Sequence, residues 1–206
     1  MAAVLTAACV RNKGFPCLLL SNTPTRLHTA PTRLLWGWLN TVFNKVDDKR
    51  IEQVGPDRAA AEWLLRCGAH VRFKDRPSWQ RDYNTLPTGP PQKYKIEEID
   101  ATDSGVMHIG FEHFKHLQHV KSLKLNRCMY ITDECIGKLH LLAGTLQHLE
   151  VTSCGNVTDK GLMQLKDLSL LETLRLFDLP AVRDKTGTVH LLEKFLANCE
   201  INAEGI

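Results

Sequence analysis

Carboxylates are missing from the start of this chain: the first is Asp47, although Arg11, Lys13, Arg26 and Arg33 come earlier. A basic, acid-free start rich in Ser, Thr, Ala and Leu predicts a mitochondrial transit peptide over residues 1–34, with the mature chain beginning near Leu35 or Trp36. Long apolar runs are missing too. The stretch "LLWGWL" at 34–39 falls far short of the roughly 18 residues that a membrane-crossing helix needs. No CxxC pair occurs, and the cysteines after the presequence (Cys67, Cys128, Cys135, Cys154 and Cys199) are odd in number. That argues against a disulfide framework or a structural zinc site and suits reduced thiols in a matrix-like compartment. Nor is there a phosphate-cradling glycine loop, a GxSxG elbow, an HExxH pair or a His and carboxylate set tied by spacing. These absences point away from an enzyme and from a small-molecule substrate.

The formal charge of +3 belongs to the presequence, which holds four cations and no anion, so residues 35–206 carry −1. Affinity for phosphate backbones needs a retained basic surface, and a nucleic-acid partner loses its main support. What remains is ordinary for a soluble core: the chain of 206 residues is 43% hydrophobic and 24% charged.

Residues 35–93 read as a small helical N-terminal domain and linker. In "WGWLNTVFNKV", Trp36, Leu39, Val42, Phe43 and Val46 fall at helical spacings and predict one apolar stripe. A second helix is better delimited, with Pro56 and Asp57 in its first turn, "RAAAEWLLR" along it and Gly68 as its stop. The stretch "RPSWQRDYNTLPTGPPQ" at 76–92 is rich in turn formers and predicts an ordered loop or linker.

From residue 94 to 206 the chain repeats itself. Val120, Leu123, Leu125 and Cys128 form the LxxLxLxxC pattern of a leucine-rich repeat, and Leu146, Leu149, Val151 and Cys154 form the next. Ile96, Ile99, Ala101 and Ser104 make an earlier copy; Leu171, Leu174, Leu176 and Leu179 make a later one. The middle residues Ile99, Leu123, Leu149 and Leu174 are 24, 26 and 25 apart, within the period of this class. The fold class predicted is therefore α/β, a helical N-terminal domain followed by a short solenoid of about four repeats with parallel strands and helices. Cys128 and Cys154 are expected to be buried packing residues, and Asp133 and Asp159, each after a Thr, to cap the helices that follow. His113, His116 and His119 recur every three residues; one is expected on the exposed flank of an apolar pattern and the others solvated, a reading favoured over a metal site. Strand alternation turns Asp100, Lys124, Asn126, Glu150, Thr152, Arg175 and Phe177 toward the concave side, the surface on which such scaffolds bind partners. Its middle column, Asp100, Lys124, Glu150 and Arg175, alternates in sign.

The stretches "WGWLNTVFNKVD", "VGPDRAAAEWLLRCGAHVR", "DYNTLPTGP", "KYKIEEIDATDS" and "SCGNVTDKGL" together resemble the mitochondrial ATP synthase subunit s (coupling factor B) family over about residues 36–195. The resemblance implies a non-enzymatic, matrix-side peripheral protein of the inner membrane that supports the coupling of proton flux to ATP synthesis. It also implies a magnesium ion between the two regions, with ligands at Gly68 and Thr102. The family often has a CxC dithiol after the second strand; here its first position is Asn126 and only Cys128 remains, so a dithiol mechanism does not carry over. Two other readings fit a catalysis-free repeat scaffold. One is an assembly factor for another inner-membrane complex, such as the distal membrane arm of complex I. The other is an F-box-type adaptor, weakened by the transit-like start and the lack of an F-box. The terminal "LANCEINAEGI" lacks the clear apolar strand expected to close the solenoid.

Overall fold

A computed structural model describes residues 31–206 except Thr88, Pro91 and Gln92, and describes side chains from Gly37 onward. The transit-peptide region therefore lies almost wholly outside the described residues.

Three helices open the described chain: α1 (Pro31–Phe43), α2 (Asp48–Val54) and α3 (Pro56–Arg66). Pro56 stands at the start of α3 as its missing N–H predicts, and the helix stops where Gly68 adopts a φ of +84°. Leu64, Trp63 and Ala59 to Ala61 are buried along α3. On α1 the expected stripe is narrower than predicted: Phe43 packs on the core, but Val42 is 48% exposed. The inward position on the next turn belongs instead to Asn44, a polar residue that an apolar pattern passes over.

Asn44 is fully buried and fully bonded. Its Oδ1 accepts from Trp63 Nε1 at 3.1 Å and from Met107 N at 2.8 Å, while its Nδ2 donates to the carbonyls of Asn40 and Gly105 at 2.8 and 2.9 Å. One amide thus ties α1, α3 and the loop after the first repeat strand. Asp57 makes a second tie, accepting from Ile96 N at 2.9 Å and pairing with Lys95 Nζ at 3.0 Å.

A six-stranded sheet follows in chain order: β1 (His70–Phe73), β2 (Ile96–Asp100), β3 (Ser122–Asn126), β4 (His148–Thr152), β5 (Thr173–Phe177) and β6 (Glu200–Asn202). Strand β1 pairs antiparallel with β2, and all later pairs are parallel. The expected middle residues are in register, with Ile99 beside Leu123, Leu149 and Leu174 in turn, and Ile201 beside Leu174. Strand β6 corrects the reading of the C-terminal stretch. It is short and polar at both flanks, yet Ile201 continues the column and Ile206 is buried at the place that Cys128 and Cys154 hold in earlier repeats.

Short helices return the chain behind the sheet: α4 (Asp133–Lys138), α5 (Asp159–Leu162) and α6 (Lys185–Phe195). Ile136, Leu139, Leu162 and Leu165 anchor them in one continuous core that runs from α3 to Ile206 and crosses the 93/94 boundary without a break. Cys128 and Cys154 lie in that core with no exposure, as expected of cysteine acting as a small hydrophobe.

The aspartates correct the capping expectation. Asp133 Oδ1 accepts from Thr158 N at 2.7 Å and its Oδ2 from Thr158 Oγ1 at 2.6 Å, so it holds the start of α5 one repeat ahead. Asp159 does the same for α6, accepting from Arg183 N, Asp184 N and Thr188 Oγ1 at 3.1, 2.9 and 3.1 Å. Asp184, the third in the series, caps its own helix through Gly187 N at 2.9 Å. Gly161 is required by this arrangement, because a Cβ there would lie 3.0 Å from the Asp133 backbone.

His113 also departs from expectation. It lies in a 3-10 helix (Gly110–His116), is 6% exposed and stacks on Trp63 with ring centroids 5.0 Å apart.

Candidate functional site

The concave face is built by strand alternation. In each parallel strand the apolar residues enter the core and the residues between them stand outward, so register alone lines up Glu98 with Ser122, His148 and Thr173. Asp100, Lys124, Glu150 and Arg175 align in the same way, as the repeat period predicts. Asn126, Thr152 and Phe177 form the third column.

Along this face the charges are partly used. Lys124 Nζ lies 3.4 Å from Glu150 Oε1, and Glu98 is bound bidentately by Arg72 of β1. Asp100 Oδ1 accepts from Thr102 N at 3.0 Å and from Thr102 Oγ1 at 2.6 Å. His148 Nδ1 and Thr173 Oγ1 are 2.9 Å apart. Arg175 is exposed and has no ion pair among the described residues. Phe177 beside it is 46% exposed, whereas Thr152 is 5% exposed and donates to Asn126 Oδ1 at 2.9 Å. Thr152 thus serves the sheet, and Arg175 and Phe177 are the groups on offer to a partner.

A cavity of 370 Å³ occupies the centre of the face, lined by Asp100, Lys124, His148, Glu150 and Arg175 together with Trp79. Sequence reading missed Trp79. It comes from the turn-rich stretch at 76–92, which is held against the sheet because Gln80 and Val71 exchange backbone hydrogen bonds at 2.8 and 3.1 Å. A lone tryptophan in a polar loop was the available signal.

Gly68 and Thr102 lie just past the same end of the β1–β2 pair, since His70 stands opposite Asp100 and the strands are antiparallel. The carbonyl of Cys67 accepts from Gly105 N at 2.7 Å, which joins the end of α3 to the loop after β2. Among the described residues the Gly68 carbonyl accepts no hydrogen bond, and Thr102 Oγ1 gives its proton to Asp100 and keeps its lone pairs. Hard oxygen donors of this kind fit a magnesium ion that retains most of its waters. No group of three or more His, Cys, Asp or Glu able to hold a metal occurs among the described residues.

A second register column also went unread. Asp103, Arg127, Ser153 and Asp178 all adopt left-handed φ between 49° and 55°, each one residue before the buried position of its repeat. Arg127 Nε bonds Asp103 at 2.8 Å and Ser153 Oγ bonds Asp178 at 2.8 Å, so side chains link these turns in two pairs. Polar residues recurring at the repeat period were the signal there.

Comparison with known proteins places these features. A leucine-rich-repeat family model matches residues 145–166. The protein named ATP synthase subunit s, mitochondrial, from Homo sapiens is 52% identical over 176 residues, covering 84% of this chain and 88% of that relative. The chain belongs to the mitochondrial ATP synthase subunit s family. The Bos taurus member is 51% identical over the same span of 176 residues. A more distant relative, Distal membrane arm assembly component 2 from Drosophila melanogaster, is 27% identical over 136 residues, which is 63% of this chain and 47% of that protein. Among the described residues no helix is long and apolar enough to cross a membrane.

Proposed function

We propose that the protein is a non-enzymatic accessory factor of the mitochondrial ATP synthase, held peripherally on the matrix side of the inner membrane, and that it supports the coupling of proton flux to ATP synthesis through its concave face. The observation that carries this reading is membership of the subunit s family at 52% identity across nearly the whole described fold. The charged ladder supports the choice of surface. Arg175 offers a guanidinium with no ion pair among the described residues and Phe177 an open aromatic ring, residue types enriched at interfaces. Purification of the tagged protein from mitochondria, followed by native gels, is expected to recover ATP synthase subunits. Washing at high pH with carbonate is expected to release the protein from membranes, and its retention in the pellet would contradict peripheral binding.

Magnesium belongs to the same reading. Gly68 would supply its carbonyl and Thr102 its hydroxyl, and the bound ion would neutralise oxygen dipoles where α3 meets the first repeat. Thr102→Val is expected to abolish a magnesium-dependent rise in melting temperature while leaving the metal-free protein folded. An equal shift in both proteins would return Gly68 and Thr102 to the roles of helix stop and loop hydroxyl.

The Drosophila relative favours a second reading, in which the same face serves assembly of another inner-membrane complex, such as complex I. Native gels separate the two: complex I intermediates in place of ATP synthase subunits support the second.

A further inference from the structure

Glu62 of α3 is buried, and three arginines converge on it. Arg50 of α2 reaches Oε1 at 2.7 Å through Nη2 and Oε2 at 2.9 Å through Nε, Arg58 reaches Oε1 at 2.9 Å, and Arg66 lies 3.9 Å from Oε2. Burial alone would raise the Glu62 carboxyl, yet the bonds from Arg50 and Arg58 hold it below its ordinary value. It stays ionised, and one negative charge faces three positive ones. Elsewhere among the described residues cations pair singly, as in Arg72 with Glu98, Lys95 with Asp57 and Lys138 with Glu112.

Two of these three arginines line one cavity. Arg50 and Arg58 line a space of 230 Å³ with Gln53, Val54, Pro90 and Tyr94, and among the described residues no carboxylate contributes to its wall. Arg76 and Lys93 lie 4.7 and 5.5 Å from the centre of the Tyr94 ring, adding two cations beside the same wall. Arg58 Nη1 is occupied by the Pro87 carbonyl, which fixes the guanidinium and leaves its Nη2 edge for a ligand. Drug-sized ligands take about 300–1,000 Å³, so the space suits one compact group. Arg50 keeps Nη1 and Arg58 keeps Nη2 beyond their bonds to Glu62 and Pro87, and charged N–H donors of this kind suit an oxyanion.

We propose that this cavity between α2, α3 and the residues Pro87, Gly89 and Pro90 is an oxyanion site that takes a single phosphate group, free or carried on a phospholipid head. It is separate from the concave face and does not depend on the partner assigned there. Replacing Arg50 or Arg58 would also strip Glu62 and risk the fold, so the test uses Gln53→Glu, which places a carboxylate on the exposed rim and keeps every arginine of the Glu62 network. The full chain is titrated with inorganic phosphate against chloride of equal ionic strength, followed by phosphorus NMR line broadening and melting temperature. In parallel it is sedimented with neutral vesicles and with vesicles carrying an anionic phospholipid. Saturable phosphate binding, weakened about tenfold or more in Gln53→Glu at an unchanged melting temperature in chloride, is the expected result. Phosphate binding without vesicle binding identifies a soluble ligand, and anionic-vesicle binding that Gln53→Glu removes identifies a headgroup. Failure of both probes to bind saturably, or binding of both that Gln53→Glu leaves unchanged, overturns the proposal.

Discussion

The His113 imidazole lies against Trp63 with its Nδ1 unpartnered, and burial pushes its pKa down to about 4. An unfolded histidine titrates near 6.5, so between these values the unfolded chain holds a proton that the folded chain refuses. Stability from this residue is therefore full above about pH 6.5 and falls as the pH drops toward 4, by on the order of 3 kcal/mol. Urea unfolding at stepped pH checks this, and His113→Phe is expected to flatten that part of the profile. Asn44→Ala should cost about 3–5 kcal/mol, because Trp63 Nε1, Met107 N and the Gly105 carbonyl would all be left buried without partners. A loss below about 1 kcal/mol by urea unfolding would mean that water replaces the amide. Cys128 and Cys154 are expected to resist maleimide until the protein unfolds, since both are fully buried and the Cys154 thiol is held above its ordinary range by its sulfur neighbour Cys128 and by burial. The cysteines were legible as core because they hold the last place of a periodic apolar pattern. Asn44 and His113 were not, because a buried polar group depends on partners that come from distant parts of the chain.

At the scale of elements, the aspartates join one repeat to the next. Asp133→Ala should free Thr158 N and Oγ1 together and cost about 1–3 kcal/mol, measured by urea unfolding. In a double-mutant cycle Asp133→Ala and Thr158→Val are expected to couple, whereas purely local caps would give additive losses. Asp184→Ala should cost less, about 1 kcal/mol, because it removes only the cap of α6. The Thr-Asp pair reads in sequence as a helix start, and Thr132 and Thr158 do stand at the starts of α4 and α5. Which carboxylate bonds which repeat was not legible, because the period gives a residue its place along the repeat and not the neighbour it faces. Strand β6 escaped for a related reason: Glu200 and Asn202 flank a single apolar residue, and pairing with β5 rather than intrinsic pattern makes the strand.

For the whole molecule, the parallel register was legible almost in full, since equal spacing of Ile99, Leu123, Leu149 and Leu174 dictates which residues stand side by side. The concave columns follow from it. Trp79 does not, because its loop reaches that face only through its pairing with β1. The resulting surface has Lys124 and Glu150 neutralising each other at its centre and Arg175 exposed toward the C-terminal side. A reversal at Arg175 is expected to disturb binding without disturbing the fold, as the side chain is exposed and has no ion pair among the described residues. The decisive measurement is the affinity of the purified protein for detergent-solubilised ATP synthase, compared between wild type and Arg175→Glu at equal melting temperature. The account predicts specific binding by wild type and a loss of about tenfold or more in the variant. Equal affinity of the two proteins, or no wild-type binding to the ATP synthase, would contradict it.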